Sequence, residues 1–174
     1  MIELGARVRF HHPLVRSASY RAAGTGDRRN VHRALAEATD PESDPDRRAW
    51  HLAHAAVDLD EDMARELEHS AGRAQRRGGV AAAAAFLRRA TELTPDPALR
   101  GLRALAAAQA TFEAGASDAA QELLTSAELA PLDEPSRARL AWLRPASRPA
   151  EGRSGRGMFS RRKRRKSPVS QARV

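Results

Sequence analysis

Two stretches of the chain, 37 residues apart, repeat the same order of small residues, glycine and apolar pairs, and this recurrence constrains the fold more than any other feature. Ala71-Gly72-Arg73-Ala74, Gly78, Phe86-Leu87 and Ala90 are matched by Ala108, Thr111, Gly115, Leu123-Leu124 and Ala127. Each stretch reads as a long helix, a glycine break, a second helix and a Pro/Asp link. A single hairpin of this kind cannot bury its apolar side alone, so neighbouring hairpins must stack. The period falls between that of tetratricopeptide repeats, about 34 residues, and the longer helical repeats of about 40. The expected fold class is all-α, with helical hairpins of tetratricopeptide-like type.

Local signals place the helices. Asp44-Pro45 and Asp96-Pro97 are helix starts, because the carboxylate accepts an orphan N–H and proline fits the first turn. The carboxylates of Asp60-Glu61-Asp62 favour another start, and Asp133 caps a last short helix. Gly78-Gly79 and Gly115 are stops. Helical spacing predicts buried stripes at Met63, Leu67, Ala71 and Ala74, at Phe86, Ala90 and Leu93, and at Ala120, Leu123 and Ala127. It also predicts stripes at Trp50, Ala53 and Val57, at Leu99, Leu102, Ala106 and Phe112, and at Leu140 and Leu143. Nearer the start, Val8–His11 alternates like a short strand, and Pro13 opens a helix. Gly24 and Gly26 break the chain before a helix from Asp27 to Thr39, whose stripe is Val31, Ala34, Leu35 and Ala38.

Alanine dominates these stripes and aromatics are only 4% of the chain, so each buried side chain removes little area from water. Modest stability follows, with apolar end faces around Leu14 and Leu140 open to a partner or a second copy. Cysteine is absent, which excludes disulfides, thiolate metal sites and cysteine nucleophiles. No apolar run approaches the roughly 18–20 residues that cross a bilayer, and Met1–Phe10 has no signal-peptide core. The expected location is the cytoplasm, with no membrane insertion.

Charge divides the chain. Residues 144–174 hold nine Arg, two Lys and one acid, a balance of +10, which leaves −2 for residues 1–143 out of the total of +8. The two lysines, Lys163 and Lys166, are the only ones in the chain. Glycine, serine, proline and arginine crowd this tail without an apolar period, so disorder is expected there.

Four stretches in register suggest a family: Val8–Ala18, Val31–Ala38, Arg47–Ala53 and Phe86–Asp96. Together they resemble the middle of the large ATP-binding LuxR-family transcriptional regulators of actinobacteria, the MalT-like regulators, over about Ile2 to Leu143. The resemblance implies a nucleotide-binding module before the stretch, a winged-helix-like connector, a helical-repeat sensor and a C-terminal helix-turn-helix. It divides this chain into residues 1–58, the end of the connector and first helices; 59–143, tetratricopeptide-like hairpins; and 144–174, a disordered basic tail. The chain departs from the family after Leu143, and the expectation is an internal fragment from a truncated or frame-shifted reading frame.

The chain has no G-x-x-x-x-G-K-[ST] loop, and residues 1–143 have no lysine to reach a phosphate. No catalytic residues, no metal and no cofactor are therefore expected, with ATP belonging only to a full-length regulator. By resemblance, His12 would contact nucleotide phosphates in an intact regulator; otherwise His12-Pro13 only makes the strand-to-helix turn. His51 and His54 share a helix face but lack a third ligand, so packing beside Trp50 explains them. The carboxylates Asp58, Asp60, Glu61 and Asp62 already have a structural place at a helix start. Arg161, Arg162, Lys163, Arg164, Arg165 and Lys166 form six consecutive cations, able to bind nucleic acid weakly and without sequence preference. Two readings follow: an interaction and signal-coupling scaffold acting through protein partners or self-association, and a small nucleic-acid binder acting through the tail. Neither is an enzyme.

Overall fold

The structure, a computed structural model, describes residues 2–3, 9–10 and 12–146. Among these are eight helices: α1 (Pro13–Ala22), α2 (Thr25–Glu37), α3 (Pro45–Ala55), α4 (Glu61–Arg76), α5 (Val80–Leu93), α6 (Pro97–Glu113), α7 (Ser117–Glu128) and α8 (Glu134–Ala146). Ahead of them, β1 (Ile2–Glu3) and β2 (Arg9–Phe10) pair antiparallel, Ile2 opposite Phe10 and Glu3 opposite Arg9. Val8 and His11 lie outside the described residues.

The helix starts are built as capped turns. The side chains of Asp60, Asp96 and Asp133 accept the N–H groups of Met63 (2.9 Å), Leu99 (2.8 Å) and Ser136 (3.0 Å), so α4, α6 and α8 open alike. Asp44 opens α3 through Arg47 N–H at 3.3 Å. The hairpin turns also repeat. Gly78 and Gly115 sit at φ +76° and +82°, the left-handed region that a side chain would strain. In the first turn Gly78 N–H donates to the Gln75 carbonyl and Gly79 N–H to Ala74, both at 2.9 Å. In the second, Gly115 donates to Phe112 at 2.9 Å and Ala116 to Thr111 at 3.1 Å. Helices α2, α4 and α6 begin at residues 25, 61 and 97, a period of 36, and α8 follows at 134, 37 residues on.

The hairpins α2–α3, α4–α5 and α6–α7 stack through α3 on α4 and α5, through α5 on α6, and through α8 on α6 and α7. The main core, Ala64, Leu67, Ala71, Phe86, Ala90 and their neighbours, lies between α3, α4, α5 and α6. A smaller one joins Leu105, Leu124, Leu132, Leu140 and Leu143 at the α8 end. Small residues set the helix spacing. A Cβ added at Gly101 would lie 2.3 Å from the Ala130 side chain, so α6 meets the α7–α8 link through glycine.

Two ion-pair networks cross between hairpins. Arg103, buried on α6, meets both Glu61 oxygens at 2.7 and 2.8 Å, Glu68 at 2.7 Å and the Thr94 hydroxyl at 2.7 Å. The facing Glu61 raises the guanidinium's affinity for its proton, and Arg103 in turn holds the Glu61 carboxyl below its ordinary range. Asp46 on α3 takes Arg73 at 2.6 Å and Arg77 at 2.5 Å from α4, and Arg73 also reaches Glu66 at 2.8 Å.

Several expectations need correction. Gly26 does not break the chain: α2 starts at Thr25 and Gly24 is its N-cap, so the turn needs one glycine only. The face of α2 against α3 is His32 and Ala36, whereas Val31 is 57% exposed. Val57 lies past the end of α3 and is exposed. On α6, Leu99 and Leu102 are exposed and Arg103, Ala104, Leu105, Ala107 and Ala108 are buried, because α5, α7 and α8 pack around that helix. Leu140 is buried in the smaller core, and the large exposed apolar groups at that end are Leu129 and Trp142. Helix α8 runs to Ala146, three residues into the stretch expected to be tail.

Candidate functional site

Three of the chain's six histidines converge in the first hairpin. Helix α2 brings His32, and α3 brings His51 and, one turn on, His54. Nδ1 of His32 lies 2.9 Å from Nδ1 of His51, in a buried contact. One of these nitrogens must carry the hydrogen and the other must accept it, so the pair holds a single proton between the rings. Nε2 of His32 pairs with the Tyr20 hydroxyl of α1 at 3.1 Å. His54 stacks between its neighbours, its ring 5.0 Å from that of His32 and 4.1 Å from that of Trp50. Trp50 in turn meets Phe86 of α5 edge-on at 5.5 Å. The group is thus an aromatic plug that closes the first hairpin against the second.

Tautomers follow from the partners. Nδ1 of His54 lies 2.9 Å from the Trp50 carbonyl, which can only accept, so that nitrogen donates and Nε2 keeps its lone pair in the neutral ring. Burial is the main cause that pushes all three imidazoles below their ordinary value, and nearby cations add to it. For His32 these are the His54 and His51 rings and Arg89; for His51, Arg47 opposed by Asp44; for His54, Arg89 and His51, opposed first by the hydrogen bond to the Trp50 carbonyl and then by Glu92.

Arg89 reaches back from α5 to this corner. Its Nε and Nη2 donate to the Ala53 carbonyl at 3.2 and 2.6 Å, and Nη1 to Glu92 at 2.7 Å. Ala53 stands in the last turn of α3, where carbonyls lack a helical partner and a cation is favoured. Beside it opens a cavity of about 190 Å³, bordered by Tyr20, Arg28, Arg29, His32, His54 and Arg89, among others. The Arg28 guanidinium lies 5.5 Å over the Tyr20 ring.

A second concavity, about 290 Å³, runs between α4, α6 and α8, with Gly72, Gln75, Ala106, Gln109 and Arg139 on its walls. Arg139 hydrogen-bonds Gln109 across it.

The sequence candidates fare differently. His12 is the N-cap of α1, its exposed Nδ1 accepting Leu14 N–H at 3.2 Å, so its ring serves the helix end. His51 and His54 do stand beside Trp50, but sequence reasoning missed His32, Tyr20, Arg28, Arg29 and Arg89. The available signal was the spacing of Arg28 and His32, polar residues four apart on the face of α2 that also carries Ala36, which an apolar search passes over. Among the described residues no group of three or more His, Cys, Asp and Glu is placed to hold a metal ion. Asp60 caps α4, and Glu61 and Asp62 pair with Arg103 and Arg65. Arg161, Arg162, Lys163, Arg164, Arg165 and Lys166 lie outside the described residues. No helix among the described residues is long and apolar enough to cross a membrane. Compared with known proteins, the chain matches no family model, no curated protein and no solved structure.

Proposed function

We propose that the chain is a helical-repeat interaction and signal-coupling module of the LuxR-type transcriptional regulators that it resembles, working in the cytoplasm. The observation that carries this reading is the strict register of its hairpins: helices opened by Asp60, Asp96 and Asp133, and turns closed by Gly78 and Gly115, recur every 36–37 residues. Such a period supports hairpins of tetratricopeptide-like type, which present extended surfaces to protein partners or to a second copy. The concavity between α4, α6 and α8 is one such surface among the described residues. The reading includes no catalytic step and no resident cofactor.

A second reading, nonspecific nucleic-acid binding through Arg161–Lys166, rests on the density of cations there. One experiment separates the two. The full chain and a chain lacking residues 144–174 are compared for two-hybrid contact with itself and with a LuxR-type nucleotide-binding module, and for DNA binding across a salt series. Contact that survives the deletion supports the scaffold. Loss of all contact together with loss of salt-dependent DNA binding supports the tail.

A further inference from the structure

We propose that the cavity between α1, α2, α3 and α5 is a binding site for a small phosphate or phosphate monoester, held by Arg28, Arg29 and His54. The site would exist whether or not the array couples regulator modules. Three guanidiniums border the cavity, and no residue of its lining is acidic. Acids do stand nearby. Glu92 is paired with Arg89, and Asp27 lies in the first turn of α2 near Gly24. Asp44 and Arg47 bear on His51 behind the wall. Glu92 offsets Arg89, which leaves Arg28 and Arg29 as surplus positive charge at the mouth. Among the described residues the Arg29 guanidinium has no ion-pair or hydrogen-bond partner, although the residue is half-buried. A guanidinium in that state gains most from an anion, because a planar fork matches phosphate oxygens in pairs.

His54 completes the donor set. Its Nδ1 is committed to the Trp50 carbonyl, so Nε2 is the nitrogen free to meet a ligand. In the empty site burial is the main cause that lowers that ring's affinity for a proton, and Arg89 adds to it. An entering dianion reverses the local field, so Nε2 takes up a proton and donates to a phosphate oxygen. Binding and protonation are therefore linked: the dianion raises the affinity of His54 for its proton, so the complex takes up a proton as it forms, over the pH range in which the phosphate itself stays dianionic. His32 forms the rear wall but cannot donate, since Tyr20 and His51 occupy both its nitrogens. The cavity, about 190 Å³, is below the range of roughly 300–1,000 Å³ usual for drug-sized ligands, which favours a phosphate with a small substituent over a nucleotide.

The test uses the full chain and reads the ring signals of His32 and His54 by NMR during titration with inorganic phosphate, and in a second arm with phosphoserine. Ionic strength is held with chloride. Saturable shifts are expected at both rings, with an upward move of the His54 titration. Arg29→Gln should weaken binding about tenfold, the loss of one charge-assisted contact. Arg33→Gln, the same charge change on the outer side of α2, should alter it less than about twofold. Arg28→Gln serves as the second site variant if Arg29→Gln unfolds. Tighter phosphoserine binding identifies an ester as the ligand, and tighter phosphate binding identifies the free ion. The proposal is overturned if neither compound shifts the rings beyond chloride, or if Arg33→Gln weakens binding as much as the site variants. Shifts that vanish only on neutralising Arg161–Lys166 overturn it as well.

Discussion

The α2–α3 hairpin and the α4–α5 hairpin are nearly the same length and follow the same period, but their interiors differ. Between α4 and α5 the contact is Leu67, Ala71, Ala83, Phe86 and Ala90, side chains without polar atoms. Between α2 and α3 it is His32 against His51, with only Ala36 as a buried apolar group on α2. An apolar contact gains from any close fit, whereas an imidazole pair needs a shared proton and one geometry. The same hairpin backbone can therefore be held by burial in one copy and by a hydrogen-bonded polar group in the next. The first hairpin should be the weaker and the more sensitive to solution conditions.

The sharpest way to break this comparison is to shorten a leucine on the first helix of each hairpin. Leu67 is fully buried, so Leu67→Ala should lose about 3 kcal/mol in urea denaturation. Leu35, 38% exposed on α2, should lose below about 0.5 kcal/mol on the same change. Equal losses would mean that α2 buries its outer face after all.

Glycine gives the next largest contrast, with opposite signs. Gly101→Ala forces a methyl into Ala130 and Leu132 and should destabilise by about 1–3 kcal/mol. Gly26→Ala meets open space within a helix and should stabilise by about 0.4–1 kcal/mol. Thermal melts of the two variants check both signs.

Proton linkage separates the hairpins by pH window. His32, His51 and His54 titrate below 6.5 when folded, so the unfolded chain binds their protons more readily. Their contribution is fully present above about pH 6.5 and is lost as pH falls below it. Glu61 is depressed instead, so its contact with Arg103 persists above its ordinary value of 4.5 and is lost as pH falls through its lower folded value. Hydrogen exchange should show α2–α3 opening first on acidification, with α4–α6 following at lower pH. His51→Gln should flatten the first step, and its persistence would remove the histidine pair as the cause.

A further contrast concerns a buried polar group of the third hairpin that, unlike the histidines of the first, has no hydrogen-bond partner among the described residues. Thr111 Oγ1 is a buried atom without a partner among the described residues, at the position where Ala74 stands in the preceding unit. Thr111→Val should stabilise by about 1 kcal/mol, since it removes an unsatisfied hydroxyl at constant shape. A loss in denaturation would show that the hydroxyl has a partner of its own.

What the sequence by itself determined is local. Asp60, Asp96 and Asp133 each find their N–H three residues away, and Gly78 and Gly115 are required by their own φ, so helix starts, turns and period could be read without any knowledge of neighbours. The apolar stripes of α4, α5 and α7 were legible from helical spacing alone: Leu67 stands between Glu66 and Glu68, and Phe86 with Ala90 and Ala120 with Leu124 recur one turn apart. Only the tertiary structure decided the faces of α2 and α6. Alanine gives little contrast between sides, and α6 is packed by several helices at once, so Arg103 is buried by partners 42 and 35 residues distant, Glu61 and Glu68. The His32–His51 contact spans 19 residues, and Arg89 reaches Ala53 across 36. Groups so far apart in the chain are brought together by stacking of hairpins, and no spacing rule within one helix encodes that meeting.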